Sequence, residues 1–343
     1  MYRRYGESGN CDVSARPRVT QLATRSRRAT NVCCGRVVAV ARDVDGQRFG
    51  ARRHTRSAIA ARTALGVLQL TAIEQHESSH RRLLSDDLAA PLLPTVLRLS
   101  IALTAFTPLR RLLNRSAERR GPGWAMILCR KRYIDDQLAA VADQYAQIVN
   151  LGAGMDTRGL RWASPKRSVF EVDQPVNVEA KQRAIENAFG TVPPQLHLIP
   201  TDFERDALHT GLIRHGYNPA HKTFFIWEGV TQYLTETGFH STLAFLEDAA
   251  TGSRIVLTYV HRDFIDGINT FGARQLYEQY RVRQQVWLLG LCPDEIEAIL
   301  ADQGWRVIEH VGANEYQHRY VDPTGRMLVA SGIERAVCAE KTA

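Results

Sequence analysis

The sequence predicts an α/β protein, a mostly parallel sheet covered by helices on both faces. Three observations predict it. Seven short apolar, β-branched runs recur between residues 147 and 331, helical stretches separate most of them, and the first run ends in a Gly-x-Gly turn. Parallel strands need long crossover connections, and strands buried on both faces read as near-continuous apolar runs.

The elements follow in chain order. Residues 1–50 show no sustained period of 2 or 3.6, which predicts a disordered basic tail or a start site assigned too far upstream. Regular structure is expected from Arg56, where Ile59, Ala60, Ala64, Val67, Leu68, Thr71 and Ala72 fit helical spacing. A second helix is expected after Ser85-Asp86-Asp87, and one or two amphipathic helices over residues 95–115. Gly121-Pro122-Gly123 breaks the chain, and a helix is predicted from about Trp124 to Gln144. The strands are placed at Gln147–Leu151, Ser168–Val172, Leu196–Ile199, Thr223–Trp227, Arg254–Val260, Trp305–Glu309 and Met327–Ser331. Residues 51–343 read as a single domain, with a helical part and lid at 56–145 and a sheet core at 146–340.

Composition narrows the function. The chain has 343 residues, 44% apolar and 23% charged, which excludes a wholly disordered or collagen-like protein. No run of 18 uncharged apolar residues marks a membrane span, so no membrane partner is expected. The net charge is +8, but residues 1–62 alone carry +10 and residues 63–343 carry −2. A nucleic-acid partner is therefore not expected, because phosphate contacts need a basic surface on the folded body. The six cysteines form no C-x-x-C pair, and no metal site is predicted. They read as reduced thiols of a cytoplasmic protein.

In an open α/β sheet the ligand sits beyond the carboxyl ends of the strands. The first strand ends in Gly152-Ala153-Gly154-Met155-Asp156-Thr157. Two glycines let the chain turn tightly against a ligand. A dinucleotide site would want a third glycine where Thr157 stands, and Asp156 sits where a phosphate would lie. That disfavours a nicotinamide or flavin dinucleotide.

Asp173 ends the second strand 21 residues after Gly152, where an acid accepts from ribose hydroxyls, with Glu171 the rival on the same strand face. Asp202 and Phe203 follow the third strand. Asp202 either accepts from an adenine amine, with Phe203 packed on the ring, or caps a helix. Glu228 ends the fourth strand before Gly229, facing the crevice or starting a helix. A pocket of one Gly-x-Gly and three strand-end acids suits a nucleoside without phosphate. S-adenosyl-L-methionine, with its cationic sulfonium and its ribose and amine donors, fits.

The segments Arg130–Asp136 (RKRYIDD), Val149–Arg158 (VNLGAGMDTR), Phe170–Pro175 (FEVDQP), Thr201–Phe203 (TDF) and Trp227–Leu234 (WEGVTQYL) resemble the leucine carboxyl methyltransferase family. The likeness is strongest to its bacterial, actinobacterial-type O-methyltransferases, and covers about residues 56–340. It implies a class I methyltransferase, Rossmann-like sheet of seven strands, the last antiparallel. The scattered aromatics of residues 261–287 read as part of a helical substrate lid joined to residues 85–125, or as packing alone. It implies S-adenosyl-L-methionine as cofactor. Arg130 would hold the methionine carboxylate, with Arg132 a substitute and Arg62 a looser second contact. Gly152 would line the methionine moiety, Asp173 the ribose, and Asp202 with Phe203 the adenine, and Gly154 would also bind the cofactor. Glu228 would lie near the methyl group as the catalytic residue. Arg158 and Arg161 are expected to pair with nearby acids or solvent.

The implied reaction is O-methylation of a carboxylate or hydroxyl on a small-molecule acceptor. The alternatives are a non-catalytic cofactor-binding module, or methylation of a protein C-terminal carboxylate or a tRNA. A carboxylate acceptor, ionised at neutral pH, needs no general base, whereas a hydroxyl needs one, with Glu228 or His261 in place. The sequence carries no signal for oligomeric state.

Overall fold

The computed structural model describes residues 62–106, 108, 123–203, 206 and 208–342. The basic segment 1–50 and the expected helix start at Arg56 lie outside the described residues.

Seven strands form one sheet: β1 Gln147–Leu151, β2 Ser168–Asp173, β3 Leu196–Pro200, β4 Thr223–Trp227, β5 Arg254–Val260, β6 Trp305–Val311 and β7 Glu334–Lys341. Their order is β3-β2-β1-β4-β5-β7-β6. β1 to β5 pair in parallel, and β7 inserts antiparallel between β5 and β6. Burial follows this order. Every residue of the central strands β1 and β4 is buried, whereas the edge strands β3 and β6 alternate or half-expose theirs.

Period-2 alternation sends Ile148, Ile226, Val256, Ala336 and Cys338 to one face, beneath the helix Gly123–Ala139. Val149, Phe225, Leu257 and Val337 go to the other, against the helix Glu236–Glu247. That second helix starts at Thr235, whose side chain accepts from the Gly238 N–H at 3.1 Å. The helix Pro175–Phe189 opens with proline and ends at Gly190 with φ +85°, the usual punctuation at its two ends.

Three sequence expectations change. The last strand is not Met327–Ser331 but β7. Met327 and Val329 are exposed, and the carbonyl of Leu328 and the N–H of Ala330 bond to the Gln317 side chain instead of a strand. No helix follows Ser85-Asp86-Asp87. The chain makes turns there, because Asp86 is buried and accepts from the Thr157 hydroxyl at 2.6 Å rather than capping a helix. The helix expected to reach Gln144 stops at Ala139 and is followed by a separate 3₁₀ turn, Ala142–Gln144. Of the stretch 95–115, Thr95–Ala102 is helical and residues 109–115 lie outside the described residues.

Cys129, Cys292 and Cys338 are buried. No helix among the described residues is long and apolar enough to cross a membrane.

Candidate functional site

Strand order reverses between β1 and β4, so their carboxyl ends open the crevice where α/β sheets bind ligands. The turn after β1 is built on glycine. Gly152 has φ +74°, and a Cβ there would lie 2.2 Å from Val230 Cγ2. Gly154 has φ +49°, and a Cβ there would lie 2.9 Å from Ala64 Cβ on the helix over residues 62–74. The N–H groups of Gly152 and Ala153 donate to the Val172 carbonyl, tying the turn to the end of β2.

Asp173, not Glu171, reaches this turn. Its Oδ2 accepts from the Gly154 N–H at 2.6 Å. Its Oδ1 accepts from the Gln174 N–H and the Asn177 side chain, each at 2.7 Å. A carboxylate has about four acceptor directions, so one remains, on Oδ2. Burial raises the Asp173 pKa, against the three donors that lower it. Glu171 points beneath the sheet's helical cover, where it forms a buried ion pair with Lys181. Gly159 is glycine for this reason, since a Cβ would sit 2.4 Å from Glu171 Oε1.

The Thr201 N–H donates to the Asp173 carbonyl, which brings the Asp202-Phe203 segment alongside β2. Phe203 is buried. The Asp202 N–H donates to the Asp206 carboxylate at 2.7 Å.

Beyond β4, Glu228 lies in a buried cluster of charges. Its Oε1 accepts from Arg130 Nε at 2.9 Å and its Oε2 from Arg158 Nη1 at 2.6 Å. Arg130 also donates through Nη1 to Glu334 at 2.7 Å, and its guanidinium lies against Gly229, which has φ +67°. Arg158 is 1% exposed and donates further to Asp135 and Asp156, each at 2.5 Å, and to the Lys131 carbonyl at 2.8 Å. Burial pushes the Glu228 carboxyl up, but Lys131, Arg158 and Arg130 outweigh it and hold its pKa at about 2. Arg158, Lys131, Lys181 and Arg161 lower Asp156 against its own burial. Glu334 keeps a raised pKa because burial exceeds the pull of Arg130.

The structure thus brings Arg130, Gly152, Gly154, Asp173 and Glu228 to one end of the sheet. Arg132 is excluded from the crevice, since it pairs with Asp136 on the surface. Arg158 and Arg161 pair with acids as expected, but the acids include Glu228 itself. Sequence reasoning passed over Lys131, Asp135 and Glu334. The first two sit inside the quoted Arg130–Asp136 segment, a usable signal; Glu334 had none, because its strand was misplaced.

The aromatics of 261–287 gather over the ends of β4 and β5. Trp287 stacks on Tyr280 at 4.9 Å and meets Phe264 and Tyr233 at 5.7 and 6.4 Å. The Tyr233 hydroxyl faces Thr63 and the Trp287 indole. His261 Nδ1 accepts from the Asp263 N–H, and burial lowers its pKa. Beside the glycine turn, a cavity of about 770 Å³ runs between Gly154, Met155 and the helix Pro175–Phe189, edged by Arg62, Arg98 and Arg183, with no acidic residue lining it among the described residues.

The family model for leucine carboxyl methyltransferase matches residues 64–247, which include the glycine turn, Asp173, Asp202 and Glu228. The chain belongs to the leucine carboxyl methyltransferase family. A candidate S-adenosyl-L-methionine-dependent methyltransferase of Streptomyces coelicolor is 32% identical over 187 residues, 54% of this chain and 63% of that protein. One of Bacillus subtilis is 28% identical over 189 residues, 54% of this chain and 61% of the other. The chain thus spans a little over three fifths of these two relatives. A methyltransferase-like structure from Thermobifida fusca is similar with a TM-score of 0.49 and 17% identity, covering 68% of this chain and 88% of the other. The sheet is the Rossmann-like arrangement of seven strands that the resemblance implies, with its last strand antiparallel.

Proposed function

We propose that this family member is an S-adenosyl-L-methionine-dependent O-methyltransferase whose acceptor group is a carboxylate on a small molecule. The observation that carries the choice of carboxylate is the state of Glu228. A carboxylate with a pKa of about 2, held by two arginines, is a poor proton acceptor. The residue best placed to activate a hydroxyl therefore does not suit that task, while an ionised acceptor needs no base.

The chain's residues suit the cofactor. Gly152 and Gly154 leave a cradle that a Cβ would fill, Asp173 retains an acceptor direction for a ribose hydroxyl, and Phe203 supplies an apolar wall. Arg130 keeps Nη2 for the methionine carboxylate while Nε and Nη1 stay bonded to Glu228 and Glu334. The bound cofactor supplies an activated methyl group on a cationic sulfur. Glu228 stabilises the cationic end electrostatically, and the aromatic segment 261–287 excludes water from the crevice. The arginine-edged cavity beside Gly154 supports an amphipathic, anionic small molecule as acceptor, its volume falling within the usual range for such ligands.

The test is incubation with methyl-labelled cofactor and a small-molecule extract, followed by mild alkali. Release of the label as methanol identifies a methyl ester and supports the reading. Label that survives alkali as an ether refutes the carboxylate, and no transfer under any condition favours a binding module.

A further inference from the structure

We propose that Arg158 is a positioning residue for Glu228, holding one carboxylate oxygen and keeping the group anionic at the mouth of the crevice. The inference rests on the reading of Glu228 as the acid that faces the cationic end of the cofactor. Geometry carries it. Arg158 stands on the helix Arg158–Trp162, directly after the glycine turn, and its guanidinium links three parts of the chain. Nη1 is shared between Asp156 of the turn and Glu228 beyond β4, Nε is held by Asp135, and Nη2 by the Lys131 carbonyl. Four partners fix a fully buried side chain in one orientation, so its hold on Glu228 Oε2 is set by the scaffold and not by the ligand.

Arg130 does not duplicate this. It is divided between Glu228 and Glu334, and the latter is a buried carboxylate whose Oε1 has no hydrogen-bond partner. With Arg158 gone, Glu228 would face Arg130 and Lys131 from the helix Gly123–Ala139, opposed by Asp156 from the turn and Glu334 from β7. Two cations against two acids, in a buried setting, no longer favour the ionised form. A lysine in its place keeps the charge but lacks the fork that spans Asp156 and Glu228 together.

Carboxyl-carbon NMR on the full chain, with the Glu228 signal assigned by its loss in Glu228→Gln, reads the effect without any cofactor. The wild-type signal should show no titration above about pH 4, and Arg158→Gln, which removes the charge, should bring its midpoint between about pH 4 and 7. An unchanged signal in a folded Arg158→Gln overturns the proposal. Calorimetry with S-adenosyl-L-methionine then tests the consequence. The affinity of Arg158→Gln should fall between pH 8 and 5.5 by the factor the NMR midpoint sets, ~10-fold for a midpoint of about 6.5, while wild type stays flat, and in a Glu228→Gln background the same pH change should have no matching effect. An equal loss in both backgrounds shows a merely structural arginine and overturns the proposal. If Arg158→Gln does not fold, Arg158→Met, equally uncharged and of similar length, serves in both measurements. If the NMR midpoint moves but Glu228→Gln binds cofactor like wild type, the positioning stands and the cofactor role given to Glu228 fails.

Discussion

Replacing Asp173 by asparagine removes one oxygen and one charge at the junction of β2 and the glycine turn. The hydrogen bonds determine how the new side chain must sit. Oδ1 serves two donors, Gln174 N–H and Asn177, whereas Oδ2 serves only Gly154 N–H. The asparagine oxygen therefore takes the Oδ1 position, and its amide NH₂ is turned against the Gly154 N–H, donor facing donor. That costs the fold about 1–3 kcal/mol, the usual penalty for a buried unsatisfied group. It also removes the last acceptor direction open to a ribose hydroxyl. One charge-assisted bond is lost rather than two, about 1.5–3 kcal/mol, so S-adenosyl-L-methionine should bind ~10-fold to ~100-fold more weakly. Isothermal titration calorimetry measures this directly. Glu171→Gln is the control: it breaks the buried pair with Lys181 and should lower the melting temperature, with affinity within about twofold of wild type. Should Glu171→Gln lose the affinity and Asp173→Asn keep it, the assignment of Asp173 to the cofactor is wrong.

Other perturbations follow from the same geometry. Glu228→Gln should weaken S-adenosyl-L-methionine more than S-adenosylhomocysteine, by at least ~3-fold in the ratio, because only the former carries a sulfonium for the carboxylate to stabilise; equal losses for the two ligands would remove Glu228 from the reacting centre. Gly152→Ala combines a left-handed backbone with a Cβ 2.2 Å from Val230, and should destabilise by about 2 kcal/mol or more in denaturant titration; a variant as stable as wild type would mean the turn can relax. His310 is held between the Tyr259 hydroxyl and Arg335, and burial first, then Arg335, lowers its pKa to about 4. The unfolded chain protonates this ring near pH 6.5 and the folded one does not, so between about pH 6.5 and 4 the unfolded state binds more protons and stability is lost as pH falls. Thermal melts across that window should show the loss for wild type and a flatter slope for His310→Gln; identical slopes would show that His310 does not contribute.

Central strands were legible because burial on both faces demands continuous apolar runs, and Thr223–Trp227 could serve little else. β7 was not, although it lies inside the sheet. Four of its eight residues are charged, at Glu334, Arg335, Glu340 and Lys341. Each charge is answered from elsewhere: Glu334 by Arg130, Arg335 by His310, Glu340 by Arg254, and Lys341 by the Gln303 carbonyl. A hydropathy window cannot see such partners, and it favoured Met327–Ser331, whose larger side chains alternate into solvent.

The site shows the same division. Glycines and acids at strand ends are local signals, since their position along the chain is also their position in the crevice, and Gly152, Gly154, Asp173 and Glu228 all fall where the strand pattern put them. Their electrostatic state is a long-range property. Arg130 reaches Glu228 across 98 residues and Glu334 across 204. Read alone, Glu228 is a strand-end acid equally suited to taking a proton or holding a cation. Paired with Arg130 and Arg158 it is a poor proton acceptor, which supports the second as proposed, because a base must gain affinity for a proton and these arginines remove it. The proposed choice of a carboxylate over a hydroxyl thus turns on contacts that form only when the helix Gly123–Ala139 packs over the carboxyl end of β4 and the amino end of β7.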